Sequence, residues 1–261
     1  MIPSEAPPLR GRELRRRYTT ADVSVLDWEE ATRFVASGAG DPQTNLNLAW
    51  QLLYRLEPEL YDRLAGAERL HPGVIAWLPR NVERIVEVGA GSGRLTLELI
   101  DRARELVAVE PAAPLRQLLS QKLSLADTRQ EVRLMHGFFD DLPVTDDCAD
   151  LVVTCSALTP APCHGGERGL AEMERVCKPG GQVVIVWPNN VGWLAGHGYR
   201  YRSFVGEMCV EFSSHDEAAE VAEVFYPSAV ADIRRRGGSQ VPYKLLGINP
   251  PRDLAFKVMA R

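Results

Sequence analysis

The chain has 261 residues, 45% hydrophobic and 25% charged, with a formal net charge of −5. This is the composition of an ordinary soluble globular protein, long enough for one α/β domain with a modest appendage, and it excludes fibrous and disordered classes. No apolar run approaches the ~20 residues that span a bilayer, no apolar signal core follows the first charges, and the acidic balance argues against a polyanion partner, so the expectation is a cytoplasmic protein without a membrane or nucleic-acid partner.

Residues 1–20 carry five arginines, Arg10, Arg12, Arg15, Arg16 and Arg17, and are expected to be a flexible N-terminal segment with a solvated charge run. An N-terminal helical cap is expected over 21–80. Leu46, Ala49 or Trp50, Leu53 and Leu56 recur at helical spacing, and Pro58 begins a second helix carrying Leu60, Tyr61 and Leu64. His71-Pro72-Gly73 marks a turn before a last short apolar face of Val74, Ile75 and Leu78.

From Arg84 short β runs alternate with helical faces, the signature of a doubly wound α/β sheet. Strands are placed at 84–88, 105–110, 131–136, 150–155 and 182–187. Between them Leu95 pairs with Leu99, Leu115 with Leu118 and Leu119, and Leu170 with Met173 and Cys177. After Trp187 the alternation stops, and an inserted lid is expected at about 188–215. A helix at 216–225 shares a face of Ala218, Val221, Ala222 and Phe225. The next helix ends in Arg234-Arg235-Arg236 before Gly237-Gly238, which is ordinary helix termination. Two β segments, 241–246 and 255–259, close the chain.

Arg-Ile-Val-Glu-Val at 84–88 runs straight into Gly89-Ala90-Gly91-Ser92-Gly93 and then into a helical pattern. A strand end is where a backbone must approach a ligand closely in such sheets, and glycines permit it. A nicotinamide fingerprint needs G-x-G-x-x-G, whereas here the third glycine is one residue early and position 94 is Arg. Glu110 ends the second strand 21 residues after Gly89, where a carboxylate can accept hydrogen bonds from both hydroxyls of a ribose.

The turn resembles the E/D-x-G-x-G-x-G turn of class I (Rossmann-like) S-adenosylmethionine-dependent methyltransferases, and Val176-Cys177-Lys178-Pro179-Gly180-Gly181 resembles the L-K-P-G-G turn before their fifth strand. The stretch His136-Gly137-Phe138-Phe139-Asp140-Asp141-Leu142-Pro143 is similar to their G-D-x-x-x-L-P, with Phe138 where the family has Asp. The resemblance covers 84 to about 187. It implies a Rossmann-like domain over 81–261, a mostly parallel seven-stranded sheet closed by an antiparallel last strand, and S-adenosylmethionine as cofactor. It also implies that Glu87 faces the methionine ammonium. Adenine would lie against Phe138 by stacking or edge contact, with Asp140 or Asp141 as substitutes for the missing Asp. The cofactor-binding set is Glu87, Gly89, Ala90, Gly91, Gly93, Glu110, Pro111, Gly137, Phe138, Phe139 and Cys155.

Methyl transfer from a sulfonium needs positioning and water exclusion, and a base only for some acceptors. Candidates follow strand four (Ser156, Thr159, His164) and strand five (Asn189, Asn190, Trp193, His197, Tyr199, Tyr201), with His197 the leading base. Trp50, Tyr54, Trp193, His197 and Tyr199 are expected to shape one acceptor cavity. The fourth strand lacks the N/D-P-P-Y tetrapeptide of nucleic-acid amino methylases. Gly93-Arg94-Leu95-Thr96 resembles the turn of ribosomal RNA adenine dimethyltransferases, but a small-molecule acceptor fits better. A macromolecular acceptor and a cofactor-binding regulator without transferase activity are the alternatives, and a homo-oligomer is left open. Cys148, Cys155, Cys163, Cys177 and Cys209 contain no C-x-x-C pair, and no metal site is expected.

Overall fold

The computed structural model describes residues 13–35, 40–126 and 130–260. Arg10 and Arg12 lie outside the described residues. Nine strands occur among them: β1 Val82–Val88, β2 Ala103–Val109, β3 Glu131–Met135, β4 Ala149–Cys155, β5 Cys177–Val186, β6 Arg200–Ser203, β7 Cys209–Glu211, β8 Gln240–Pro242 and β9 Asp253–Val258. The chain divides into two compact units. One holds Leu70–Val205 with the segment that starts at Pro251; the other joins the residues up to Arg69 with Gly206–Pro250.

The first unit is a seven-stranded sheet in the order β3-β2-β1-β4-β5-β9-β6, a doubly wound α/β arrangement. β1 to β5 pair in parallel, and β9 is antiparallel to both β5 and β6. β1 and β4 lie at the centre, and their carboxyl-terminal halves are covered on both faces, with Ile85, Val86 and Val88 of β1 and Leu151, Val152 and Val153 of β4 buried. Val86, Val88, Val107, Val109, Val152, Val183 and Ile185 form the core with Leu170, Met173 and Val176 of the helix Gly166–Val176. The helix Ala113–Leu125 buries Leu115 and Leu119. Pro179 and Gly180 do not precede β5 but lie within it. Ala149 pairs with Cys177 and Leu151 already with Gln182, so the extra residues bulge out. Lys178 anchors the bulge on Asp150 at 3.1 Å.

Two expectations about the end of the chain are corrected. Residues 241–246 are not the hairpin partner of the last strand: β8 pairs with β7 in a separate two-stranded sheet, and Tyr243–Leu246 is a helical turn. The partner of β9 is β6, inside the region expected to be a lid. The segment 188–215 is thus not one inserted element. It contains the helix Val191–Gly196, an edge strand of the main sheet, and β7 of the other unit.

The second unit gathers the helices Trp28–Phe34, Leu46–Leu56 and Pro58–Ala67 with His215–Phe225 and Val230–Arg236. Asp27, Asn45 and Ser214 cap three of them through their side chains. Ala218, Val221, Ala222 and Phe225 are all buried, and Phe225 stacks on Trp50 at 5.6 Å. The expected cap is therefore a discontinuous unit, since its helices bury their faces against residues from 206–250. Trp50 and Tyr54 contact one another and Phe225 and Tyr61 there. Two buried polar pairs tie distant parts together: Arg55 with Glu30, and the Tyr226 hydroxyl with Glu68. Nor is the segment to residue 20 uniformly flexible. Leu14 and Tyr18 are buried, and Tyr18 donates to Glu57 at 2.7 Å while Arg17 pairs with the same carboxylate. Arg234 and Arg235 pair with Glu223 and Asp232, and Gly237 ends their helix with a positive φ, as expected.

Candidate active site

In a doubly wound sheet the ligand crevice opens beyond the carboxyl ends of the strands, where the strand order reverses. Here that point is between β1 and β4, since β2 and β3 extend to one side and β5 to the other. The turn after β1 sits at this point. Gly89, Gly91 and Gly93 all have positive φ, of 71°, 58° and 103°, which side chains with a Cβ rarely adopt. A Cβ on Gly93 would meet Leu119 at 2.7 Å, and one on Gly89 would meet Ala157 at 3.1 Å and Phe139 at 3.3 Å. Lys122 holds the turn from the helix side by donating to the Ser92 carbonyl at 3.0 Å.

Glu110 follows β2 and is buried. Its two carboxylate oxygens accept the Gly91 N–H at 2.8 Å and the Ala112 N–H at 2.9 Å. Its backbone carbonyl and that of Pro111 both accept from Arg116. The carboxylate is thus a brace of the glycine turn, a role the spacing alone did not reveal. Glu87, at the end of β1, is 1% exposed, and its Oε2 has no hydrogen-bond partner. Burial, with a smaller push from the Glu110 charge, raises its carboxyl to about 8; the nearby Thr96 hydroxyl pulls the other way. That hydroxyl and the Ser92 hydroxyl, both buried, also have no hydrogen-bond partner of good geometry.

After β3, Gly137 is packed closely enough that a Cβ would meet Pro143 at 2.6 Å. Phe138 is buried, edge-on to His136 at 5.4 Å. Phe139 is committed to packing: it fills the space over Gly89, Gly165 and Gly169. At the ends of β4 and β5, Cys155 is half-buried, and Ser156 and Trp187 adopt positive φ of 55° and 50°. Asn189 donates to the Ser156 carbonyl at 3.1 Å, Asn190 caps the helix Val191–Gly196, and Arg94 of the glycine turn lies over the Trp187 ring at 5.4 Å. Non-glycine residues held in this region store strain on the order of 1 kcal/mol or more each, and such strain gathers at functional sites.

His197 is not placed to act as a free base. Its Nδ1 is 2.9 Å from the Trp193 carbonyl and its Nε2 is 2.6 Å from a Glu167 oxygen. A neutral imidazole has only one N–H, so this geometry favours the imidazolium, and the bond to Trp193 together with the Glu167 carboxylate raises its pKa. Glu167 also accepts the Trp193 indole N–H at 2.8 Å. Tyr199 is buried in the sheet core and donates to Glu174. His164, partly buried in the loop after β4, is pushed down to about 4 by burial. Nuclear magnetic resonance at pH 6.5 should therefore find His197 mostly protonated and His164 neutral; the reverse order would refute these environments.

The methyltransferase domain family matches residues 86–185, the segment that carries the turn, Glu110 and β4. Over 141 residues the chain is 32% identical to an uncharacterized methyltransferase of Mycobacterium tuberculosis, which covers 51% of this chain and 52% of the relative. An uncharacterized methyltransferase of Schizosaccharomyces pombe is 29% identical over 132 residues, 47% of this chain and 49% of the relative. The chain spans about half the length of the relatives it matches. Among solved structures, the [4+2]-cyclase SpnF aligns with a TM-score of 0.55 at 15% identity, covering 81% of this chain and 96% of that one. A chain of the complex between the Haloferax volcanii Trm112 methyltransferase activator and a methyltransferase aligns at 0.51 and 17%, covering 80% and 96%. These two likenesses show the fold. The chain carries a class I methyltransferase domain, and the methyl donor of that class is S-adenosylmethionine.

The residues present fit that cofactor. An orphaned buried carboxylate oxygen on Glu87 suits an ammonium, and three positive-φ glycines leave the backbone open to close approach. Gly91→Val should abolish cofactor binding, because a β-branched side chain is strained at φ 58° and would intrude on the approach. Calorimetry checks this, and tight binding by the folded variant would refute the turn's role.

Proposed function

We propose that this chain transfers a methyl group from S-adenosylmethionine to a small-molecule acceptor. The observation that carries the reading is the buried Glu87 carboxyl, whose Oε2 has no hydrogen-bond partner, one strand away from the braced Glu110 at the switch point. Along the sheet's carboxyl edge, Phe138 follows β3, Glu110 follows β2 and Glu87 ends β1. Adenine, ribose and methionine would occupy these stations in turn. Continuing in the same direction, the acceptor would lie beyond β4 and β5. The cofactor supplies an activated methyl on a sulfonium when bound. Glu87 would hold the ammonium, Glu110 the ribose hydroxyls, and the glycine turn would pack against the chain between them. With His197 tied to Glu167, no base is assigned, which suits an acceptor that is nucleophilic without proton removal.

The acidic net charge of −5 supports a small acceptor over RNA. The fold by itself does not secure methyl transfer, since a cyclase shares it. Incubating the purified chain and a cell extract with S-adenosylmethionine bearing a deuterated methyl group tests the proposal by mass spectrometry. A labelled metabolite supports it; label found only in RNA or protein would favour the macromolecular alternative, and no label at all would favour a cofactor-binding regulator.

A further inference from the structure

At the carboxyl edge of β5 the sheet contains a buried carboxylate that the cofactor stations leave unused. Asp253 begins β9, which runs antiparallel to β5 with Leu254 opposite Val186, so Asp253 lies beside the residue that follows β5. The Trp187 N–H donates to its backbone carbonyl at 2.9 Å. The residue is 9% exposed. Its Oδ2 accepts the Tyr201 hydroxyl of β6 at 2.8 Å, whereas Oδ1 is buried with no hydrogen-bond partner. A buried acceptor without a partner is costly, and folded proteins pair nearly all of them.

Its place in the fold says which molecule would supply the partner. Neighbouring strands are about 4.8 Å apart, so β9 is roughly 14 Å from β1 along the edge, on the side opposite to β2 and β3. That is the acceptor's side under the reading above, on which this inference rests. The two strained strand ends, Ser156 and Trp187, lie between.

We propose that Asp253, oriented by Tyr201, is an acceptor-binding residue that receives an N–H from an amine, carried as ammonium, on the methyl acceptor. Because Oδ1 can only accept while the group is ionised, the ligand must bring the donor. A cationic donor makes the stronger, charge-assisted bond. Burial raises the Asp253 pKa, and Tyr201, Arg252 and the residue's own backbone N–H oppose that rise, so an incoming ammonium would further favour the ionised form. The amine need not be the atom that is methylated.

The test uses the full chain saturated with S-adenosylhomocysteine and three matched probes: benzylamine, benzyl alcohol and benzoate. Nuclear magnetic resonance follows their binding up to about 10 mM, the affinity range open to ligands of this size. Benzylamine should bind, perturb the signals of Asp253 and Tyr201, and outcompete benzyl alcohol, while benzoate should not bind there. Asp253→Asn, nearly isosteric, should weaken benzylamine at least tenfold with S-adenosylhomocysteine affinity unchanged. Tyr201→Phe, which keeps the carboxylate but loses its brace, should weaken it less. Equal benzylamine affinity in wild type and Asp253→Asn, preference for benzoate, or no perturbation by any probe would overturn the proposal and leave Oδ1 to an ordered water. Failure of the wild type to bind S-adenosylhomocysteine would instead overturn the cofactor reading itself.

Discussion

Glu110→Ala should lose both stability and cofactor affinity. The carboxylate accepts the N–H groups of Gly91 and Ala112 in a buried setting, and removing it strands both donors. Each unsatisfied buried donor costs about 1–3 kcal/mol, so for the two of them denaturant unfolding should show a loss of about 2–6 kcal/mol. Affinity for S-adenosylmethionine should drop by at least about 100-fold, near 2.7 kcal/mol, because the ribose acceptors vanish and the turn loosens together. Glu110→Gln keeps one acceptor oxygen and should fall between. A folded Ala variant with unchanged affinity would remove Glu110 from the site.

S-adenosylmethionine affinity should also climb with pH. Burial holds the Glu87 carboxyl near 8 rather than 4.5, so at neutral pH the free protein keeps it protonated, while an ammonium partner requires the carboxylate. Binding then releases a proton, and affinity rises about tenfold per pH unit up to about 8, then levels. The same shift sets the stability of the free protein. With the folded pKa raised, its contribution is fully present below 4.5 and is lost as pH rises towards 8. Glu87→Gln should abolish both trends, leaving the free variant more stable than wild type at pH 8 and its cofactor affinity at least about 100-fold weaker. Calorimetry in buffers of different ionisation enthalpy counts the released protons. A wild-type affinity independent of pH from 6 to about 8 would contradict the assignment of Glu87.

The features legible in the sequence were those encoded locally. The glycine turn, Glu110 and the five parallel strands follow from apolar runs and short spacings, and each appears in the structure within a few residues of its expected place. What escaped depends on partners distant in sequence. The second unit exists because Glu68 meets Tyr226 and Trp50 meets Phe225, contacts that no local pattern announces. β6 is four residues, Arg-Tyr-Arg-Ser, on an exposed edge, with too little apolar alternation to read as a strand. His197 is the leading base candidate by its place after strand five, yet Glu167, 30 residues earlier on another helix, engages it. Asp253 had no signal at all, since its burial arises only when β9 inserts between β5 and β6.

The central claim is that the turn after β1 is an S-adenosylmethionine site, and the most direct measurement is calorimetric titration of the full chain with S-adenosylmethionine, S-adenosylhomocysteine and NAD, with Gly91→Val as control. The first two should bind the wild type with one site each and fail to bind the variant, while NAD gives no heat. Binding of NAD in place of S-adenosylmethionine, or equal S-adenosylmethionine affinity in wild type and Gly91→Val, would contradict it.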